Sequence, residues 1–207
     1  MELYVVRHGQ TTANETNTIQ GWGNTPLSTL GTQQAERAAV RLRNVTFSAV
    51  YSSDLGRAME TARHIAPYAE PTPSTQLREW HLGELEGRSR EDVEKHFAEA
   101  WYGFLTDAPD VAMPGGEGKD DVQRRVSDFL EQLAVRHAKE TILAVSHCGA
   151  IRLMFKHVLG ITSRLPRQPQ VANASISRIV HVDGLWQLGC WNDTAHLAGL
   201  ESKHGSY

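Results

Sequence analysis

The sequence predicts an α/β protein built on a mostly parallel sheet, with an antiparallel hairpin near its C-terminus. Three observations carry this. Short apolar, β-branched runs such as "LYVV" and "TILAV" recur along the chain. Amphipathic helical stretches alternate with them. Between the last two strand-like runs, "ISRIVHV" and "LWQLGCW", stands the two-residue turn Asp183-Gly184, the strongest short-range hairpin signal in the chain.

The first strand is expected over about 2–7, from Leu3, Tyr4, Val5 and Val6, and the chain turns polar at once at Arg7, His8 and Gly9. A polar loop, 8–28, holds "NTIQGWGNTPLS"; loops of that length are commonly functional. The next helix, about 29–43, spaces Leu30, Ala35, Ala38, Ala39 and Leu42 on one face. "FSAVYSS" (47–53) reads as the second strand, and Asp54 is expected to cap the helix "LGRAMETARHIA", closed by Pro67. Residues 70–76 read as loop, "SRED" (89–92) as a capping box opening a helix, and 106–118 as loop again. A helix over 119–138 aligns Val122, Val126, Phe129, Leu130 and Leu133. The strand "ETILAVS" (140–146) runs into His147-Cys148-Gly149 and the helix "AIRLMFKHVLG", ended by Gly160. No repeat or linker interrupts this order, so one domain over 1–207 is expected.

Composition excludes several classes. The 207 residues, 40% hydrophobic and 22% charged, suit a globular chain with a sizeable core. A net charge of -3 gives no basic footprint for nucleic acid. No run approaches the roughly 20 apolar residues of a membrane span, and no targeting segment precedes the first strand. Cys148 and Cys190 make no disulfide framework. The expected location is cytoplasmic, with no nucleic-acid or membrane partner. The 10 histidines are dispersed and lack metal-ligand spacing; no metal or cofactor is expected, and activity should survive EDTA.

Three strands end in polar residues that carry chemistry. The first ends in Arg7-His8-Gly9, the second in Ser52-Ser53 with Arg57 one turn on, and "ETILAVS" in His147-Cys148-Gly149. In a parallel sheet those carboxyl ends share one edge, where ligands bind. Arg7, Arg57, His8 and His147 can therefore converge on a doubly charged anion, and a phosphate group fits that charge. Each residue alone has a blander reading: a surface arginine, a core histidine, a solvated acid. Cys148 lacks the Cys-x5-Arg loop of cysteine phosphatases and reads as packing. "GGEGKDD" puts Asp120 where a Walker A loop needs Ser or Thr.

"VVRHGQTTAN", "QGWGNTPLSTLGTQQA", "VYSSDLGRAMETA", "LREWHLGELEG", "PGGEGKDDVQRR" and "AVSHCGAIR" stand in this order, and with them the chain resembles the histidine phosphatase superfamily (phosphoglycerate mutase-like) from residue 4 to about 197. The resemblance implies a three-layer α/β/α sandwich. It implies that His8 attacks phosphorus and becomes a transient phosphohistidine, with Arg7, Arg57 and His147 clamping the phosphoryl oxygens. Glu79 would protonate the leaving oxygen and then deprotonate water, while Glu84 and Glu86 are structural or solvated. Asn14, Gln20 and Gly21 match loop positions that contact phosphate in that family.

Within it, mutases carry an insert with an adjacent Arg pair after the Glu segment. Here "KHFAEAWYGFLTDAPDVAMPGG" has no such pair and offers Trp101, Tyr102, Phe104 and Leu105 as an apolar wall. The expectation is a phosphatase acting on a small phosphorylated metabolite with a bulky, less charged leaving group, and releasing inorganic phosphate. A 2,3-bisphosphoglycerate-dependent mutase and a non-catalytic phosphoester-binding module are the alternatives. The exposed sheet edge could support a homodimer.

Overall fold

In the computed structural model, which describes residues 1–108, 110–165 and 167–200, six strands form one sheet. The expected domain runs to 207, and its last seven positions lie outside the described residues. Strands β1 (Glu2–Arg7), β2 (Ala49–Ser53), β3 (Thr72–Ser74) and β4 (Thr141–Ser146) are mutually parallel, and β5 (Ile176–Val182) and β6 (Leu185–Asp193) form the antiparallel hairpin. The order across the sheet is β3-β2-β4-β1-β5-β6. Asp183 and Gly184 both have positive φ, 50° and 76°, as an Asp-Gly hairpin turn requires.

The central strands are continuous apolar runs because both faces are covered. Side chains alternate across a strand, and the core divides accordingly. Ile142 and Ala144 of β4, with Leu3, Val5 and Tyr51, enter one apolar cluster; Leu143 and Val145, with Val6 and Val50, enter the other. On the first face pack α6 (Lys119–Arg136) through Val122, Val126, Phe129, Leu130 and Leu133, and α7 (Cys148–Val158) through Ile151 and Met154. On the second pack α2 (Thr29–Leu42) through Ala38 and Leu42, and α3 (Gly56–Ile65) through Ala58, Ala62 and Ile65. This is the three-layer α/β/α sandwich.

Some local readings change. The 8–28 segment contains a short helix, α1 (Thr12–Glu15), because Thr11 and Asn14 cap each other's backbone N–H groups. The 70–76 stretch includes β3, an edge strand short enough to accommodate Pro73. Asp54 does not cap α3: Leu55 precedes the helix without a side-chain cap, and the Asp54 carboxylate binds the Arg78 guanidinium instead. Ser89 does cap α4 (Arg90–His96), accepting from the Asp92 N–H at 3.1 Å. A second short helix, α5 (Ala98–Leu105), follows after a break at Phe97.

Candidate active site

The register of the sheet brings the site together. Arg7 of β1 pairs with Ser146 of β4, and Ser52 of β2 with Val145, so His8, His147 and the start of α3 emerge side by side. Arg7, His8, Arg57, Glu79, Asn14, Gln20 and Gly21 all line one pocket, with about 540 Å³ of space open to solvent. His147 stands behind His8 rather than in the lining, wholly buried.

The His8 ring is hydrogen-bonded through Nδ1 to the Gly9 carbonyl at 2.7 Å. A carbonyl only accepts, so Nδ1 carries the proton and Nε2 keeps its lone pair. Burial, and then the Arg57 and Arg7 guanidiniums, push His8 well below the ordinary histidine value. Neutral imidazole is the nucleophilic form. His147 is pushed down in the same way, by burial first and then Arg57, and neither of its ring nitrogens has a hydrogen-bond partner.

Arg57 is 1% exposed, and its Nη1 and Nη2 donate to the carbonyls of Gly23 (2.7 Å) and Gly21 (2.8 Å). Burial pulls it down to about 10, partly offset by the Glu79 carboxylate, so it remains a cation at neutral pH. Its Nε is buried without a partner. Arg7 Nη1 donates to the Val171 carbonyl at 2.6 Å.

Glu79 sits against the start of α7. Its oxygens accept the N–H groups of Gly149 (3.0 Å), Ala150 (3.2 Å) and Trp80 (3.0 Å). A helix start offers unpaired N–H donors and a positive dipole end to a carboxylate. Gly149 is required for this approach: a Cβ there would lie 2.4 Å from Glu79 Oε1. The Glu79 carbonyl accepts from Trp22 Nε1 (2.7 Å) and Arg125 Nη2 (2.8 Å).

Asn14, Gln20 and Gly21 have structural duties besides lining the pocket. Asn14 Oδ1 accepts the Thr11 N–H, Gln20 Oε1 accepts the Thr11 and Thr25 hydroxyls, and Gly21 supplies its carbonyl to Arg57. Of the apolar wall, Trp101 and Phe104 line the pocket, stacked at 5.5 Å, whereas Tyr102 is 66% exposed and faces away. Glu84 is exposed; Glu86 is structural, accepting the Trp22 and Leu82 N–H groups.

Arg125 was not singled out by sequence. It reads as the solvated face of an amphipathic helix, yet it donates to the carbonyls of Gln76, Arg78 and Glu79 and to the Glu117 carboxylate. Thr61, which accepts the Gly9 N–H at 3.1 Å, and Asn173, which donates to the His8 carbonyl at 3.1 Å, likewise carried no sequence signal. Among the described residues no group of three His, Cys, Asp or Glu side chains is gathered for a metal ion. None of the described helices is long and apolar enough to cross a membrane.

Residues 3–194 match the histidine phosphatase superfamily (branch 1), and the chain belongs to that family. It is similar to the Arabidopsis thaliana phosphoglycerate mutase-like protein 4, 36% identical over 202 residues, covering 95% of this chain and 86% of that protein. It is also similar to the Arabidopsis thaliana metal-independent phosphoserine phosphatase, 35% identical over 205 residues, covering 96% and 84%. Among solved structures, a phosphoserine phosphatase mutant from Entamoeba histolytica in complex with phosphoserine superposes with a TM-score of 0.85 at 26% identity, covering 95% of this chain and 98% of that one.

Proposed function

We propose that this chain is a phosphatase that hydrolyses phosphomonoesters of small metabolites through a phosphohistidine on His8. The observation that carries the reading is the buried His8 ring, with Nδ1 tied to the Gly9 carbonyl, in a pocket shared with two guanidiniums and the Glu79 carboxyl. His8 Nε2 attacks phosphorus, the P–O bond to the alcohol breaks, and Glu79 donates the proton that the departing oxygen takes up. Water then attacks the phosphohistidine, Glu79 accepts its proton, the P–N bond breaks, and inorganic phosphate leaves. Phosphoryl transfer is chiefly positioning and charge stabilisation. Arg7, Arg57 and His147 supply this, each charge-assisted hydrogen bond contributing about 1.5–3 kcal/mol.

The phosphatase relatives support hydrolysis over mutase transfer, and Trp101 and Phe104 put aromatic surface into the pocket wall. We place the protein in the cytoplasm as a single domain, and read β6, the longer sheet edge, as the surface on which a homodimer would form. A phosphometabolite hydrolysis screen of wild type beside His8→Ala tests the function. Robust mutase turnover dependent on 2,3-bisphosphoglycerate would replace it with the mutase reading. Absent hydrolysis of p-nitrophenyl phosphate from acid to neutral pH would leave only a phosphoester-binding module.

A further inference from the structure

Arg152, on α7 beyond the two amides that hold Glu79, lines the same pocket as His8 and Arg57. It is 7% exposed. Its Nε donates to the Pro169 carbonyl at 3.0 Å, and neither Nη nitrogen has a hydrogen-bond or ion-pair partner among the described residues. Neither Nη is sealed off from solvent either, unlike the Nε of Arg57. A buried guanidinium without a counter-anion is costly to hold.

The acids nearby are already engaged. Asp107, which lines an adjoining cavity with Arg152, binds Lys156 (2.6 Å) through one oxygen and Lys119 through the other. The Glu79 oxygens face three amides. Leu82, Trp101 and Phe104, which line the same pocket, offer no negative charge.

We propose that Arg152 is a second anion subsite, binding a carboxylate carried by the alcohol half of the phosphomonoester. The proposal rests on the phosphoester reading of the adjoining site. A guanidinium presents parallel N–H groups in the spacing of a carboxylate, and its single positive charge balances one carboxylate, whereas a second phosphate dianion would stay half-neutralised. The leaving group is then flanked by aromatic surface and carries one negative charge. Arg152 touches the substrate away from the reacting atoms and sets specificity.

The test compares esters that differ only in the carboxylate: phosphoserine with phosphoethanolamine, and 3-phosphoglycerate with glycerol 3-phosphate. Wild type is expected to prefer the carboxylated member at least about tenfold in kcat/KM, mainly through KM. Arg152→Ala should bring the ratio to about one, and Arg152→Lys should retain part of it. An equal ratio in wild type, or an unchanged one in Arg152→Ala, overturns the proposal. Calorimetric binding of the same pairs to His8→Ala, with and without Arg152→Ala, decides the subsite without turnover. Loss of the carboxylate preference in binding supports it even if wild type hydrolyses nothing, an outcome that would sink the phosphatase reading alone.

Discussion

The rings of His8 and His147 stand 5.0 Å apart between centroids, tilted by 56°, and neither residue is more than 3% exposed. Burial first, and then the Arg57 guanidinium, drives both imidazoles toward the neutral form. One ring is thereby kept nucleophilic. The other has neither ring nitrogen hydrogen-bonded.

His8→Ala is expected to abolish phosphoenzyme formation and to lower turnover by at least about 10³-fold, with the circular dichroism spectrum unchanged. Acid-quench trapping of radiolabelled phosphoenzyme is the check. Turnover retained in the variant would refute the nucleophile assignment.

Stability should fall as pH drops below the ordinary histidine value of about 6.5. In that window the unfolded chain binds protons that the native His8 and His147 refuse, so the unfolded state holds more protons and stability rises with pH. The contribution is complete above about 6.5 and is lost toward the depressed native values, at up to about 1.4 kcal/mol per pH unit for each ring. His196, also lowered by burial, adds to the slope. Urea midpoints between pH 7.5 and 5 measure it, and a flat profile would contradict it.

Glu79→Gln should cost about 10²-fold or more on alkyl phosphates, whose leaving oxygen needs a proton. With p-nitrophenyl phosphate it should leave a burst of nitrophenolate followed by slow turnover, because the nitrophenolate leaves unaided and only the water step needs the base. Gly149→Ala, whose Cβ would meet Glu79 Oε1 at 2.4 Å, should reproduce that pattern with the carboxyl intact. A reaction of Glu79→Gln with p-nitrophenyl phosphate that shows no burst, its first turnover slowed as much as that of an alkyl phosphate, would count against the acid–base role.

Gly9→Ala is expected to destabilise the fold by about 2 kcal/mol or more. A Cβ at Gly9 would lie 2.4 Å from the Gly31 carbonyl oxygen, a backbone atom of α2 that has nowhere to retreat. Thermal unfolding of the variant is the measurement, and an unchanged Tm would show that α2 can give way.

The glycine after His8 shows where sequence reasoning stopped. In sequence it is only the end of Arg7-His8-Gly9, whereas the contact it permits in the fold is with Gly31. Residues whose role depends on strand order were legible: Arg7, His8 and His147 sit where parallel strand ends must place them. The short apolar runs "LYVV" and "TILAV" likewise announced β1 and β4 as buried strands, and both faces of the sheet are covered. Residues that act on backbone carbonyls were not legible. Arg125 grips three carbonyls 46 to 49 positions away, and nothing in a helical repeat distinguishes it from a solvated arginine. Arg152 stood in a quoted motif, but its lack of a counter-charge becomes visible only once its neighbours are in place.

The strand order carries a consequence for how activity arises on the growing chain. β1 pairs only with β4 and β5, and β2 only with β3 and β4. A nascent chain that ends before residue 141 already contains Arg7, His8, Arg57 and Glu79, yet β1 has no strand to join. β4 is the wedge that sets β1 beside β2, and the loop it closes is of a length that makes such pairing slow. Until that strand has been synthesised and inserted, His8, Arg57 and Glu79 are not gathered around one pocket, so competence appears late and all at once.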